Sequence, residues 1–208
     1  MRILVFGGST TQGAFDSECG GWADRLKAHY FSRSLETDSK MLLYNLGISG
    51  EVSGDLKDRI MQEITPRLIG DTGEVVILIQ CGMNDSKYSL EEGDNRTYLG
   101  DFKSNYKSIV AHALEYSDHV FCLGLTQVDE SKTNPFPSNA GVIFRNKDIA
   151  DYQTVIKGVA FEAETPYVEL SDLITSDSLS PDGIHSNAEG HERIFQRVKD
   201  VLEAEGLL

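Results

Sequence analysis

The run Val75-Val76-Ile77-Leu78-Ile79 constrains the fold more than any other stretch of this chain, because it is apolar on both faces of a strand. A strand with one face in water alternates polar and apolar residues, whereas one that is apolar throughout must be covered on both sides. Shorter apolar runs at 3–6, 41–46, 120–125 and 167–170 read the same way, completing a strand over 75–81. Amphipathic helical patterns at 22–35, 54–68, 102–116, 147–164 and 188–205 separate them. Strands alternating with helices predict a three-layer α/β/α sandwich around a five-stranded parallel sheet.

A length of 208 residues fits one domain of ordinary size, and residues 1–208 are read as a single domain. Hydrophobic residues make up 40% and charged residues 25%, the balance of a globular chain rather than a disordered one. No internal repeat or low-complexity tract interrupts it. The one long aperiodic connection, 126–146, carries Pro135, Pro137 and Gly141. It leaves the carboxyl end of the fourth strand, where open α/β sheets bind ligands, so it is expected to wall a substrate site.

Net charge narrows the partners. At −14, with no basic run to reverse the field locally, the chain repels phosphate backbones and anionic lipid surfaces, which argues against nucleic acid. The apolar stretch at 3–6 is too short for a signal sequence, and no later segment approaches the ~20 apolar residues of a membrane span. A cytoplasmic protein is expected. Cys19, Cys81 and Cys122 are an odd set far apart in sequence and suggest no disulfide framework.

Four segments fall at the carboxyl-end rim of the sheet: Gly7-Gly8-Ser9-Thr10-Thr11, Asn45-Leu46-Gly47-Ile48-Ser49-Gly50, Gly82-Met83-Asn84-Asp85 and Ser180-Pro181-Asp182-Gly183-Ile184-His185. Ser9 sits where a strand turns toward a helix, so its hydroxyl can be exposed and nearby N–H groups can face a developing negative charge. A spacing of three lets Asp182 accept from one nitrogen of His185 while the other faces a serine, which is the chemistry of a catalytic triad. The Asn84 amide can donate to an oxyanion, and Gly50 offers a backbone N–H with no side chain in the way. Each segment is ordinary alone, since Ser, Asn, Asp and Gly all favour turns and caps for local reasons. Their convergence carries the argument. Asp182 and His185 lack the further His or Cys at ligand spacing that a metal site would need, so no metal is expected.

The four blocks in this order resemble the GDSL/SGNH hydrolase superfamily. Carried over residue by residue, the resemblance implies Ser9 as nucleophile and first oxyanion N–H, Gly50 as second N–H donor and Asn84 as side-chain donor. It implies His185 as base, oriented by Asp182. It also implies a flavodoxin-like fold, metal-independent catalysis without a cofactor, and small-molecule acyl esters, thioesters or acetylated sugars as substrates. One position departs from the family pattern: Gly8 stands where the first block usually has aspartate, which bears on how the first turn is held. Asp85 matches the family's Gly-x-Asn-Asp and is expected to tie its turn.

Two other readings share this architecture. Ser9-Thr10-Thr11-Gln12-Gly13 loosely resembles the phosphate loop of a flavin-binding electron carrier, and Gly8 would suit a binding module without turnover. Neither accounts for Asp182 and His185 together with Asn84. The segment 7–13 does not satisfy G-x-G-x-x-G, so a dinucleotide site is not supported. His29, His112, His119 and His191 are read as packed or solvated. Trp22, Phe136 and Phe144 are candidates for lining the site, with packing as the ordinary alternative.

Overall fold

The computed structural model describes residues 1–37, 41–70 and 73–207; of the single domain expected over 1–208, residues 38–40, 71–72 and 208 lie outside that description. The strands are β1 (Arg2–Gly7), β2 (Leu42–Gly47), β3 (Val75–Gln80), β4 (Tyr88–Ser89), β5 (Asp94–Asn95), β6 (His119–Leu123), β7 (Val142–Ile143) and β8 (Tyr167–Val168). The helices are α1 (Ser9–Gln12), α2 (Trp22–Thr37), α3 (Ser53–Ile64), α4 (Leu99–Leu114), α5 (Glu130–Thr133), α6 (Asn146–Glu162) and α7 (Ala188–Ala204). Five strands form one parallel sheet in the order β2-β1-β3-β6-β8.

Alternation along each strand divides the core between the two faces of this sheet. Ile3 and Val5 of β1, Val76 and Leu78 of β3, and Phe121 and Leu123 of β6 pack with Trp22 and Leu26 of α2 and Val198 and Leu202 of α7. Their neighbours Leu4, Phe6, Ile77, Ile79, Val120 and Cys122 face the other way, toward Leu56 of α3, Phe102 of α4 and Tyr152 of α6. These positions are buried, so the apolar run 75–79 is covered on both faces as its composition requires. Burying a side chain of this size contributes roughly 1.5–3 kcal/mol. Truncating Ile77 to Ala would cost about 2–5 kcal/mol.

The strand order places a switch point at the centre of the sheet. From β1 the chain moves outward to β2, then returns to the opposite side for β3, so the connections leave β1 and β3 in opposite directions and open a crevice at their carboxyl ends. Gly47 lets α1 settle into that crevice: a Cβ there would lie 2.3 Å from the Gln12 nitrogen.

Three departures from expectation have local reasons. The helix expected over 54–68 ends at Ile64 and tightens into a 3₁₀ turn over Thr65–Leu68 containing Pro66, which cannot supply a helical N–H. The fifth strand has two residues instead of four, because the Glu169 carboxylate accepts from the Leu170 and Ser171 N–H groups and turns the chain. The 126–146 connection is not structureless: it contains α5, and its β7 joins β4 and β5 in a small antiparallel sheet ordered β5-β4-β7. All three cysteines are free, Cys19 exposed and Cys81 and Cys122 buried. Among the described residues, no helix is long and apolar enough to cross a membrane.

Candidate active site

Four loops meet above the crevice, and the side chains singled out from the sequence meet with them. Gly8 follows β1 and caps α1, so Ser9 opens a helical turn whose first N–H groups have no intrahelical acceptor. Gln12 N donates to Gly8 O at 2.9 Å, and Ile48 N donates to Gly7 O at 2.9 Å. Beneath them the Gln80 side-chain oxygen accepts from Thr11 Oγ1 at 2.9 Å and from Trp22 Nε1 at 3.2 Å. Trp22 is therefore a core residue that braces the corner from below.

The segment 180–185 is a turn rather than a helix, closed by Gly183 N donating to Ser180 O at 3.0 Å. It aims His185 at Ser9: the imidazole Nε2 lies 2.9 Å from Ser9 Oγ, and Nδ1 lies 2.6 Å from Asp182 Oδ2. The other Asp182 oxygen accepts from Ser180 Oγ at 2.6 Å, Ile184 N at 2.9 Å and His185 N at 3.1 Å. Partial burial works against ionisation of Asp182. The His185, Ser180 and backbone hydrogen bonds outweigh it and hold the carboxyl well below the ordinary range. An ionised carboxylate only accepts, so His185 carries its proton on Nδ1 and presents Nε2 to the serine hydroxyl as an acceptor. Phe15, exposed at a positive φ of 67°, stacks on the imidazole with ring centroids 4.9 Å apart.

Asn84 Nδ2 donates to Glu51 O at 3.0 Å, which spends one of its two amide hydrogens and leaves the other for a ligand. Asp85 is fully buried and reaches out of its own turn to accept from Ser53 N at 3.0 Å and Ser53 Oγ at 2.6 Å, joining the Asn84 turn to the start of α3. Burial pushes the Asp85 carboxyl up, against the Ser53 and Thr97 hydrogen bonds. Gly50 adopts φ 80°, a conformation costly for other residues, and its carbonyl accepts from Arg96 Nη1 at 3.2 Å. A Cβ on Gly8 would lie 3.3 Å from Asn84 Nδ2, so an aspartate there would have to displace that amide slightly.

Ser9, Gly50, Asn84 and His185 all line one cleft of about 280 Å³, whose far wall holds Phe136 and Phe144 in edge-to-face contact at 5.5 Å. Asp182 stands behind His185. The 126–146 connection thus walls the site. His191 is buried, its Nδ1 accepting from Trp22 N at 3.3 Å and its Nε2 donating to Ala14 O at 3.0 Å, and it braces the loop rather than entering the cleft. Sequence reasoning missed Phe15, Gln80, Ser180 and Lys87, which also lines the cleft. Only Ser180 carried a signal, as the hydroxyl two residues before Asp182.

Residues 5–193 match the model of the GDSL-like lipase/acylhydrolase family. Among solved structures, the chain is similar to a lipase/acylhydrolase from Enterococcus faecalis, at 20% identity over 98% of this chain and 96% of that one, with a TM-score of 0.75. A GDSL-like lipase from Bacteroides thetaiotaomicron aligns at 18% identity over 98% and 88%, with a TM-score of 0.70. An acetylxylan esterase from Geobacillus stearothermophilus aligns at 16% identity over 96% and 92%, also with a TM-score of 0.70. At these identities the structural likeness speaks for the fold. No curated protein matches in sequence.

Proposed function

The chain belongs to the GDSL-like lipase/acylhydrolase family and is a carboxylic-ester hydrolase, and from that premise we propose that it cleaves small ester-type acyl groups through an acyl-enzyme on Ser9. The observation that carries this reading is the continuous path from Asp182 through His185 to Ser9, at 2.6 and 2.9 Å. His185 Nε2 takes the hydroxyl proton as Ser9 Oγ bonds to the ester carbonyl carbon, and Asp182 stabilises the imidazolium. The carbonyl oxygen becomes an anion held by Asn84 Nδ2 and the N–H groups of Ser9 and Gly50. Collapse breaks the bond to the alcohol oxygen, which leaves with the proton from His185. Water then gives a proton to His185, attacks the acyl carbon and releases the carboxylic acid with Ser9 restored. These steps use neither a metal nor a cofactor.

A flavin-carrier reading leaves the same Asp182–His185–Ser9 path without a role. The acetylxylan esterase likeness suits an acyl group as small as acetyl, and acetyl esters are the substrates to try first. Ser9→Ala should abolish turnover of activated short-chain esters while circular dichroism and melting temperature stay near wild type. Undiminished hydrolysis by the folded, purified variant would remove Ser9 from the mechanism.

A further inference from the structure

The chain carries 33 acidic residues against 19 basic ones, yet no Asp or Glu is among the residues lining the Phe136 cleft, whereas Lys87 is. Glu51, which lines the adjoining hollow on the other side of Ser9, is already paired with Arg59. Most lysines here meet a carboxylate: Lys57, Lys103, Lys107, Lys132, Lys157 and Lys199 each have one within 4.0 Å. Among the described residues Lys87 has none, although it is half-buried. Burial pushes its ammonium toward the neutral form, and the nearby Arg96 adds to that. Arg96 N donates to Lys87 O at 2.8 Å, and the Arg96 guanidinium reaches the Gly50 carbonyl on the cleft's rim. A half-buried cation with a second cation beside it and no counter-ion is unfavourable in the empty protein, and an anion from outside relieves it.

The rest of the cleft limits what that anion can belong to. Phe136, Val142, Phe144, Met83 and Ile184 give the cleft an apolar side, while Ser49, Ser138 and Asn139 line it alongside Ser9 and His185. A free inorganic ion would leave that apolar side uncovered, whereas an ester with an apolar body and a charged end covers both. The net charge of −14 does not forbid such a substrate. Charges spread over the surface are screened beyond about 8 Å at physiological ionic strength, while a contact pair in a partly closed cleft is screened far less.

Resting on the ester-hydrolase reading above, we infer that the preferred substrate is an ester carrying an anionic group, carboxylate or phosphate, that pairs with Lys87 while its apolar body lies against Phe136. A charge-assisted hydrogen bond of this kind is worth about 1.5–3 kcal/mol, or roughly tenfold to a hundredfold in kcat/KM.

Matched ester pairs test this on the full chain. With charge on the alcohol half, 4-acetoxybenzoate is compared with its methyl ester; with charge on the acyl half, 4-nitrophenyl hydrogen adipate is compared with 4-nitrophenyl hexanoate. Each kcat/KM is divided by that ester's own rate of hydrolysis by hydroxide. The anionic member of one pair should be favoured by about tenfold or more. Lys87→Met should bring that ratio near one, Lys87→Arg should keep part of it, and Lys87→Glu should reverse it. The ratio is read within one preparation, so partial misfolding of a variant cancels. Benzoate and phenyl phosphate as competitive inhibitors distinguish the two anions, the one that competes at lower concentration naming the group. Parity or a neutral preference in both pairs, a preference that survives Lys87→Met, or failure of both anions to compete overturns the inference. These readouts compare one ester or anion with another and do not report which nucleophile acts, so they leave the acyl-enzyme reading to be decided by Ser9→Ala.

Discussion

The 180–185 turn and the 82–86 turn each set a carboxylate into the protein beside the cleft, and their surroundings push the two groups in opposite directions. Asp182 is partly buried but collects the His185 imidazole, the Ser180 hydroxyl and two backbone N–H groups, and it is held ionised. Asp85 is fully buried and meets Ser53 and Thr97, which do not offset the burial that pushes it up. The difference separates charge from shape. An orienting carboxylate must stay negative to fix the imidazole's tautomer, whereas a carboxylate that joins two loops needs only to accept hydrogen bonds. Asn substitutions, which keep shape and remove charge, should therefore act differently at the two turns.

The largest effect is expected at Asp182→Asn. An amide at this position donates from nitrogen, so His185 is driven to the tautomer whose Nε2 carries the proton and cannot receive one from Ser9. A fall in kcat of about 10⁴-fold with the fold intact is the expected outcome, read with an activated acetyl ester. A loss below about tenfold would mean that Asp182 only packs the turn.

Asn84→Ala, in the other turn, comes next. Removing one side-chain donor from an oxyanion site lowers kcat by roughly 10²–10³, because that bond strengthens when the carbonyl oxygen becomes an anion; KM should change little. If Asn84 serves only its bond to Glu51 O, the variant should instead lose about 1 kcal/mol of stability and keep kcat within about threefold. Melting temperature and kcat measured on one preparation separate the two. A third, smaller effect belongs to the wall. Phe136→Ala should raise KM for esters with apolar acyl chains by roughly threefold to tenfold while sparing kcat, as expected for a lost ring contact that does not change between ground and transition state. A kcat loss exceeding the KM change would place Phe136 nearer the reacting atoms than the wall.

The floor and the wall of the cleft differ as much in legibility as in role. The strands under the floor could be read because burial on both faces leaves unbroken apolar runs such as 75–79, and each rim block announces itself by residue type within a few positions, as Asp182 and His185 do. The wall offers no such signal. β4, β5 and β7 have two residues each, too few for any period, and they exist because Tyr88 pairs with Asn95 on one side and with Ile143, over fifty residues away, on the other. Lys87 is one lysine in a turn until the missing counter-ion is seen. Phe15 is one aromatic in a loop until its positive φ lays it on His185. Asp85 was expected to tie its own turn, and its partner Ser53 instead lies 32 residues earlier, a pairing that only the packed fold creates.

The smallest effect, Asp85→Asn, is the sharpest test of the comparison, because its sign with pH is opposite to that of Asp182→Asn. A carboxyl raised in the folded state contributes its full stability below the free-carboxyl value of ~3.9, and that contribution is lost as pH rises through the folded value, since the native protein must then ionise a buried group. A carboxyl held low does the reverse: its contribution is present above ~3.9 and is lost as pH falls through the folded value. The melting-temperature gap of wild type over Asp85→Asn should therefore shrink as pH rises from about 4 toward neutrality. The gap over Asp182→Asn should widen between about pH 3 and 5 and then level off. Glu51 strengthens the first trend: burial pushes its carboxyl up, against the Arg59 ion pair, and the part of that shift which the Asp85 charge adds is lost in Asp85→Asn. Each change is expected to be a few degrees, the scale of about 1 kcal/mol in a chain of this size. Asn at 85 can still accept from Ser53 through its carbonyl oxygen, so kcat should stay within about threefold of wild type. Parallel slopes for the two variants, or a kcat loss at Asp85→Asn rivalling that of Asn84→Ala, would show that the two turns are not divided between shape and charge.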